Sequence, residues 1–190
     1  VEYVDLDAAE SKRYAALRRA CEVEFAQGED ATGARQAQLK IALLAALTRL
    51  RQLACDVSLV DPSFTGPSSK LTRATELVSQ IVDEKSRVLV FSQFTSLLER
   101  AEKSFLAAGL KVAYLAGDTP TLARKKIVDA FQAGEFDVFC ISLKAGGTGL
   151  NLTRASYVVH LDPWWNPAVE EQATARAHRM GQTEPVTVYK

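Results

Sequence analysis

A chain of 190 residues with 47% apolar and 24% charged side chains carries enough apolar surface for one packed domain, or one domain with a helical attachment. Its 23 basic and 23 acidic side chains cancel, so no global field advertises a polyanion and any nucleic-acid contact has to come from a local patch. Cys21, Cys55 and Cys140 are widely separated and form no CxxC pair, which argues against a zinc site and for reduced thiols, and the longest apolar run, 41–47, is far too short for a membrane span.

In chain order, residues 1–6 (VEYVDL) alternate and read as a short strand or an entry segment. A helix is expected over 8–26, a break over 27–33 (QGEDATG), and a second helix over 35–56. In that second helix Leu39, Leu43, Leu47, Leu50 and Ala54 recur at helical spacing and predict a core stripe. Residues 61–69 (DPSFTGPSS) have the composition of a linker, which places a helical segment at 1–66 ahead of a second unit at 67–190. Ser68 or Ser69 is placed to cap a helix over 70–83 with Leu71, Leu77 or Val78, and Ile81 inward.

Four strands follow at 87–91 (RVLVF), 112–115 (VAYL), 136–141 (FDVFCI) and 157–161 (YVVHL), and 186–189 (VTVY) adds a last one. Helices at 95–108 and 121–133 stop at Gly109 and Gly134. Strands spaced by helices imply right-handed crossovers, and hence an α/β fold with a mostly parallel sheet covered on both faces. The chain stops within or just after a strand, as a fragment of something longer would.

Chemistry concentrates at 142–182. A glycine-dense turn, Ala145 to Gly149, follows the third of these strands, and Asp162-Pro163 ends the fourth. Asn166 as N-cap, Pro167 at the first helical position, Glu170 and Glu171 near the positive end of the dipole, and Gly181 as C′ residue together predict a helix over 166–181. On it Gln172, Arg176 and Arg179 are spaced by four and three and share one face. Two guanidinium forks about a turn apart suit the oxygens of a triphosphate; the alternative is that they only complement the negative helix end.

No glycine is followed by lysine, so the phosphate-cradling loop G-x-x-x-x-G-K-[ST] is absent. Asp83 to Ser86 (DEKS) reads as a solvated turn, not a magnesium-binding acidic box. Gly147 and Gly149 match only the first spacing of a dinucleotide fingerprint, with Leu152 where its third glycine belongs.

SLKAGGTGLNLT, DPWWNP and QATARAHRMGQ, in this order, closely resemble motifs V and VI of the SWI/SNF-like helicase-type ATPases. RVLVFSQF resembles the motif IV region, residues 117–131 (GDTPTLARKKIVDAF) the segment after it, and LRQLAC, 50–55, the helix end that opens the family's second lobe, with Arg51 and Gln52 read as structural. The resemblance covers 36–190 and implies a RecA-like second lobe of a double-stranded-DNA-translocating ATPase. One departure is Ala175, where the family has Asp before the first arginine.

The resemblance further implies that ATP and Mg2+ are held mainly by an N-terminal RecA-like lobe of the same polypeptide, and that this fragment is inactive alone. Arg176 and Arg179 would act as arginine fingers, with Gln172 and the backbone of Gly147, Thr148 and Gly149 shaping the nucleotide-facing surface. Ser142, Lys144, Arg154 and Trp165 would meet duplex DNA. Trp164, His160 and His178 are expected in structural roles, and Arg124, Lys125 and Lys126 on a solvated helix face. No metal site and no membrane contact are expected, and a bacterial cytoplasm fits the alanine-rich composition. Competing readings are the corresponding lobe of an RNA helicase and a non-catalytic regulatory or scaffolding module.

Overall fold

The computed structural model describes residues 1–26, 32–146, 150–164, 166–178, 182 and 185–190. The chain forms two compact units, Val4–Lys70 and Leu71–Lys190, the latter joined by Val1–Tyr3.

In the first unit α1 (Ala8–Ala26) packs on α2 (Gly33–Cys55). Asp7 and Glu10 form a reciprocal cap at the start of α1. The Glu10 N–H donates to Asp7 Oδ1 (2.7 Å) and the Asp7 N–H to Glu10 Oε2 (3.0 Å). Glu10, 1% exposed, also accepts the Ser69 N–H (3.0 Å) where α3 (Ser69–Asp83) begins. The sequence places Ser68 or Ser69 at that helix start, and the Ser68 hydroxyl also donates to the Cys55 carbonyl (3.1 Å).

The stripe on α2 is partly buried: Leu39, Leu47, Leu50 and Ala54 are half-buried and Leu43 is 41% exposed, while Ile41 and Leu44, off the stripe, are 69% and 66% exposed. Leu53 and Cys55 are the fully buried residues of this helix. Helical spacing thus marks the side of α2 that packs on α1, and a single packed seam covers a line of side chains rather than a surface.

The second unit continues from α3 through β1 (Val88–Ser92), α4 (Thr95–Ala107), β2 (Val112–Leu115), α5 (Thr121–Ala133), β3 (Val138–Ser142), α6 (Leu143–Gly146), β4 (Tyr157–His160), α7 (Pro167–Thr174) and β5 (Thr187–Tyr189). Every strand pair is parallel and the order is β2-β3-β1-β4-β5, a RecA-like arrangement. Residues 1–6 form no strand; the Glu2 N–H donates once to the Lys190 carbonyl (2.9 Å).

All five residues of β1 and of β3 are buried, which is why their sequences are nearly unbroken apolar runs. Leu89, Phe91, Phe139, Ile141, Leu115 and Val158 belong to a core that also takes in Phe131 of α5, Ala173 of α7, and Ala177. Their alternates Val88, Val90, Val138 and Cys140 are buried too, and α4 packs on β1, β2 and β3. Gly109 and Gly134 stop α4 and α5 in the left-handed conformation, at φ +83° and +88°. Residues 83–86 are a partly solvated turn, as expected.

His160 ends β4 inside this core at 4% exposure, stacked on Phe91 with ring centroids 5.5 Å apart. Its Nε2 lies 3.2 Å from the Thr174 hydroxyl, and its Nδ1 has no hydrogen-bond partner among the described residues. Burial pushes the imidazole down to about 4, against the opposing pull of Glu170.

Two stability tests follow from this packing. Phe139→Ala, at a fully buried site, should cost ~3–5 kcal/mol, whereas Leu122→Ala, at 81% exposure, should change stability by less than about 0.5 kcal/mol in urea unfolding. The His160 charge is penalised only in the folded state, so the unfolded chain binds more protons between pH 6.5 and about 4. Stability is therefore full above pH 6.5 and falls by up to ~3 kcal/mol as pH drops toward 4. Urea midpoints measured across that window should lose this slope in His160→Gln.

Candidate functional site

Five parallel strands bring Ser92, Leu115, Ser142, His160 and Tyr189 to one carboxyl-terminal edge, where open α/β sheets place their ligand sites. The strand exits there are held by two buried carboxylates.

Asp162, 1% exposed, accepts the Ser92 hydroxyl (2.5 Å) and the Gln93 N–H (3.2 Å) on Oδ1, tying the end of β4 to the end of β1. The Ser92 oxygen accepts the Phe94 N–H (3.0 Å), which sets the turn into α4. Ser142 is the register partner of Ser92, and its oxygen accepts the Ala145 N–H (3.3 Å), opening α6.

Asn166 and Pro167 start α7 as expected, with the Asn166 side chain accepting the Ala168 N–H (3.1 Å). Glu170, 4% exposed, is the second carboxylate. Its Oε1 accepts the Trp164 N–H (2.7 Å) and its Oε2 meets the Lys190 ammonium (2.6 Å) beyond β5. Burial works to raise this carboxyl, yet Lys190 and the Trp164 N–H outweigh it and hold the group below its ordinary value.

The helix is shorter than its caps predict. It ends at Thr174 with Ala175 as C-cap, and not at Gly181, which lies outside the described residues. Beyond Thr174 the spacing tightens: the Arg176 N–H bonds the Ala173 carbonyl (3.1 Å) and the Ala177 N–H the Thr174 carbonyl (3.0 Å). Ala177 is fully buried in the core, and the Leu152 N–H takes the Arg176 carbonyl (3.0 Å), so the chain is drawn under the sheet. Gln172, exposed on α7, and Arg176, two residues past its end, therefore share no helical face. Arg176 is 4% exposed, not displayed to a cleft as the spacing suggests.

The other expected site residues separate. Lys144 is exposed on α6 beside Ser142, which is itself 2% exposed with its hydroxyl engaged by Ala145. Arg154 does not join them. It lies just before β4, at the opposite edge, where its Nη1 donates to the Gln132 carbonyl (3.3 Å) and its guanidinium lies across Gly134. A cation there satisfies the end of α5. Arg124 is likewise committed, donating to the carbonyls of Thr119 and Gly117 (both 2.7 Å). Arg179, Gly147, Thr148, Gly149 and Trp165 lie outside the described residues.

Three residues gain roles that the sequence reading did not assign. Asp162 and Glu170 hold the loop between β4 and α7, and the Gln182 amide donates to the carbonyls of Thr153 (2.9 Å) and Ala155 (2.8 Å) ahead of β4. An acid at the end of a buried strand, directly before proline, is the signal that could have marked Asp162. Trp164 is half-buried against the core, in keeping with the structural role expected of it.

A family model described as the helicase conserved C-terminal domain matches residues 69–181. SWI/SNF-related matrix-associated actin-dependent regulator of chromatin subfamily A member 1 of Mus musculus is 40% identical over 132 residues, 68% of this chain and 13% of the relative. The Sulfolobus solfataricus SWI2/SNF2 ATPase C-terminal domain superposes with a TM-score of 0.78 at 26% identity, over 100% of this chain and 76% of that one. The core of a Sulfolobus solfataricus SWI2/SNF2 ATPase in complex with dsDNA gives a TM-score of 0.79 at 29% identity, over 99% of this chain and 39% of that one. The chain spans between 13% and 18% of the length of the first curated relatives it matches. It belongs to the helicase conserved C-terminal domain family, as a C-terminal lobe of the SWI/SNF type.

Proposed function

We propose that this chain is the second RecA-like lobe of an ATP-driven double-stranded-DNA translocase. The observation that carries the proposal is the run from Ser142 to Gln182, whose motif residues fall almost wholly within the matched helicase domain and begin at the carboxyl edge of a parallel sheet. A relative of the same fold was captured with dsDNA, which supports duplex DNA as the partner.

ATP and Mg2+ would be held mainly by an amino-terminal lobe of the same polypeptide. The sequence has no Gly-Lys pair and hence no G-x-x-x-x-G-K-[ST] loop, which supports this reading. This lobe's part is to present cations to the transferring phosphoryl group when the lobes close. Arg179 carries the larger share. Arg176, at 4% exposure, reaches a phosphate only after the turn behind α7 opens. Gln172 and the backbone at 147–149 complete the nucleotide-facing surface, while Lys144, the backbone at Ser142, and Trp165 face DNA. Arg154, engaged at the opposite edge, is left out of this set. ATP binding closes the two lobes around the duplex, hydrolysis opens them, and the alternation moves the protein along a strand.

The isolated chain should release phosphate from ATP at a negligible rate. In the full-length enzyme Arg179→Ala should lower kcat by ~10³-fold or more, and Arg176→Ala by less. Duplex DNA should stimulate the full-length ATPase, and Lys144→Ala should weaken duplex binding across sequences and reduce the log–log salt slope by about 1. Stimulation by RNA and not by duplex DNA would favour the RNA-helicase reading. Absence of ATPase activity from the full-length protein would favour the non-catalytic module.

A further inference from the structure

One carboxylate joins the loop after β4, α7 and the residue that follows β5. Glu170 stands in the first turn of α7, two residues before Gln172. Its Oε1 holds the backbone of Trp164 in the 161–166 loop (2.7 Å), and its Oε2 holds Lys190 beyond β5 (2.6 Å). The Glu170 side chain is 5% exposed and that of Lys190 is 41% exposed.

Burial disfavours the charge, but Lys190 and the Trp164 N–H more than offset it, and an apolar side chain here would avoid the desolvation only by leaving the Trp164 N–H without this acceptor. What the two oxygens do secure is geometry, because a buried charge-assisted hydrogen bond resists displacement of either partner. At its other end the same loop is fixed to β1 through Asp162, so Glu170 is the point where movement of the loop would pass into α7.

We infer that Glu170 is a positioning residue that couples the DNA-facing 161–166 loop to α7 and its nucleotide-facing Gln172, an inference that rests on the motor reading above. Duplex DNA pressing on the loop shifts the Trp164 backbone, and the Glu170 bond transmits the shift to the helix. The carboxylate itself touches neither ligand.

The test uses the full-length ATPase with Glu170→Leu, which fills the space, and Glu170→Gln, which keeps an acceptor for the Trp164 N–H. Glu170→Leu, with a modestly lower Tm because the Trp164 N–H loses this acceptor, should retain basal ATPase below that Tm while the ratio of DNA-stimulated to basal kcat falls by about 10-fold, within the usual range of coupling between sites. Glu170→Gln should keep most of that ratio. Wild-type stimulation retained in Glu170→Leu overturns the coupling role, as does a parallel fall of basal and stimulated rates that tracks a lowered Tm. A wild-type enzyme indifferent to duplex DNA overturns the motor reading itself. In the 190-residue chain both tryptophans lie in this loop, so acrylamide quenching of their emission reads the positioning role independently of the motor. Quenching should rise in Glu170→Leu and not in Glu170→Gln, and no rise in Glu170→Leu overturns the positioning role.

Discussion

A parallel sheet releases every strand at the same edge, and the backbone groups of those exits must find partners that no neighbouring strand provides. Here two buried carboxylates meet much of that demand. Asp162 takes the Ser92 hydroxyl and the Gln93 N–H, and Glu170 takes the Trp164 N–H together with the Lys190 ammonium. Both are nearly inaccessible to water, so the surroundings that would make either one costly without partners also make the paired arrangement stiff. The loop between β4 and α7 is clamped at its two ends by the same device.

That stiffness contrasts with the arginine segment. α7 ends at Thr174 after eight residues, and past that end Ala177 is buried in the core while the Arg176 carbonyl accepts the Leu152 N–H from the chain ahead of β4. The consequence for function is that this lobe keeps a preset edge and carries Arg176 packed inward. Under the proposed function, such an arrangement would suit half of a site whose other half supplies the phosphate.

The helical unit shows the same dependence on distant partners. Glu10 caps α1 through the reciprocal bond with Asp7 and also satisfies the first amide of α3, 59 residues away. Serine residues were available locally for that amide. A carboxylate with two oxygens can serve two helix starts at once.

What was legible in the sequence is what acts over one or two turns of chain. The apolar runs of β1 and β3 announce strands because both faces of a parallel sheet are covered. Gly109 and Gly134 announce helix ends because each takes the left-handed conformation, and Asn166-Pro167 announces a helix start because its cap bond spans two residues. The motif residues of 142–182 carry a family resemblance that depends on none of their contacts. Tertiary structure alone decided which side chains those signals would meet. Asp162 finds Ser92 across 70 residues, Arg154 turns to the end of α5 at the edge opposite Lys144, and the evenly spaced leucines of α2 end up only partly covered. Periodicity along a chain records which positions can share a face; burial and hydrogen-bond partners depend on what the rest of the chain brings to that face.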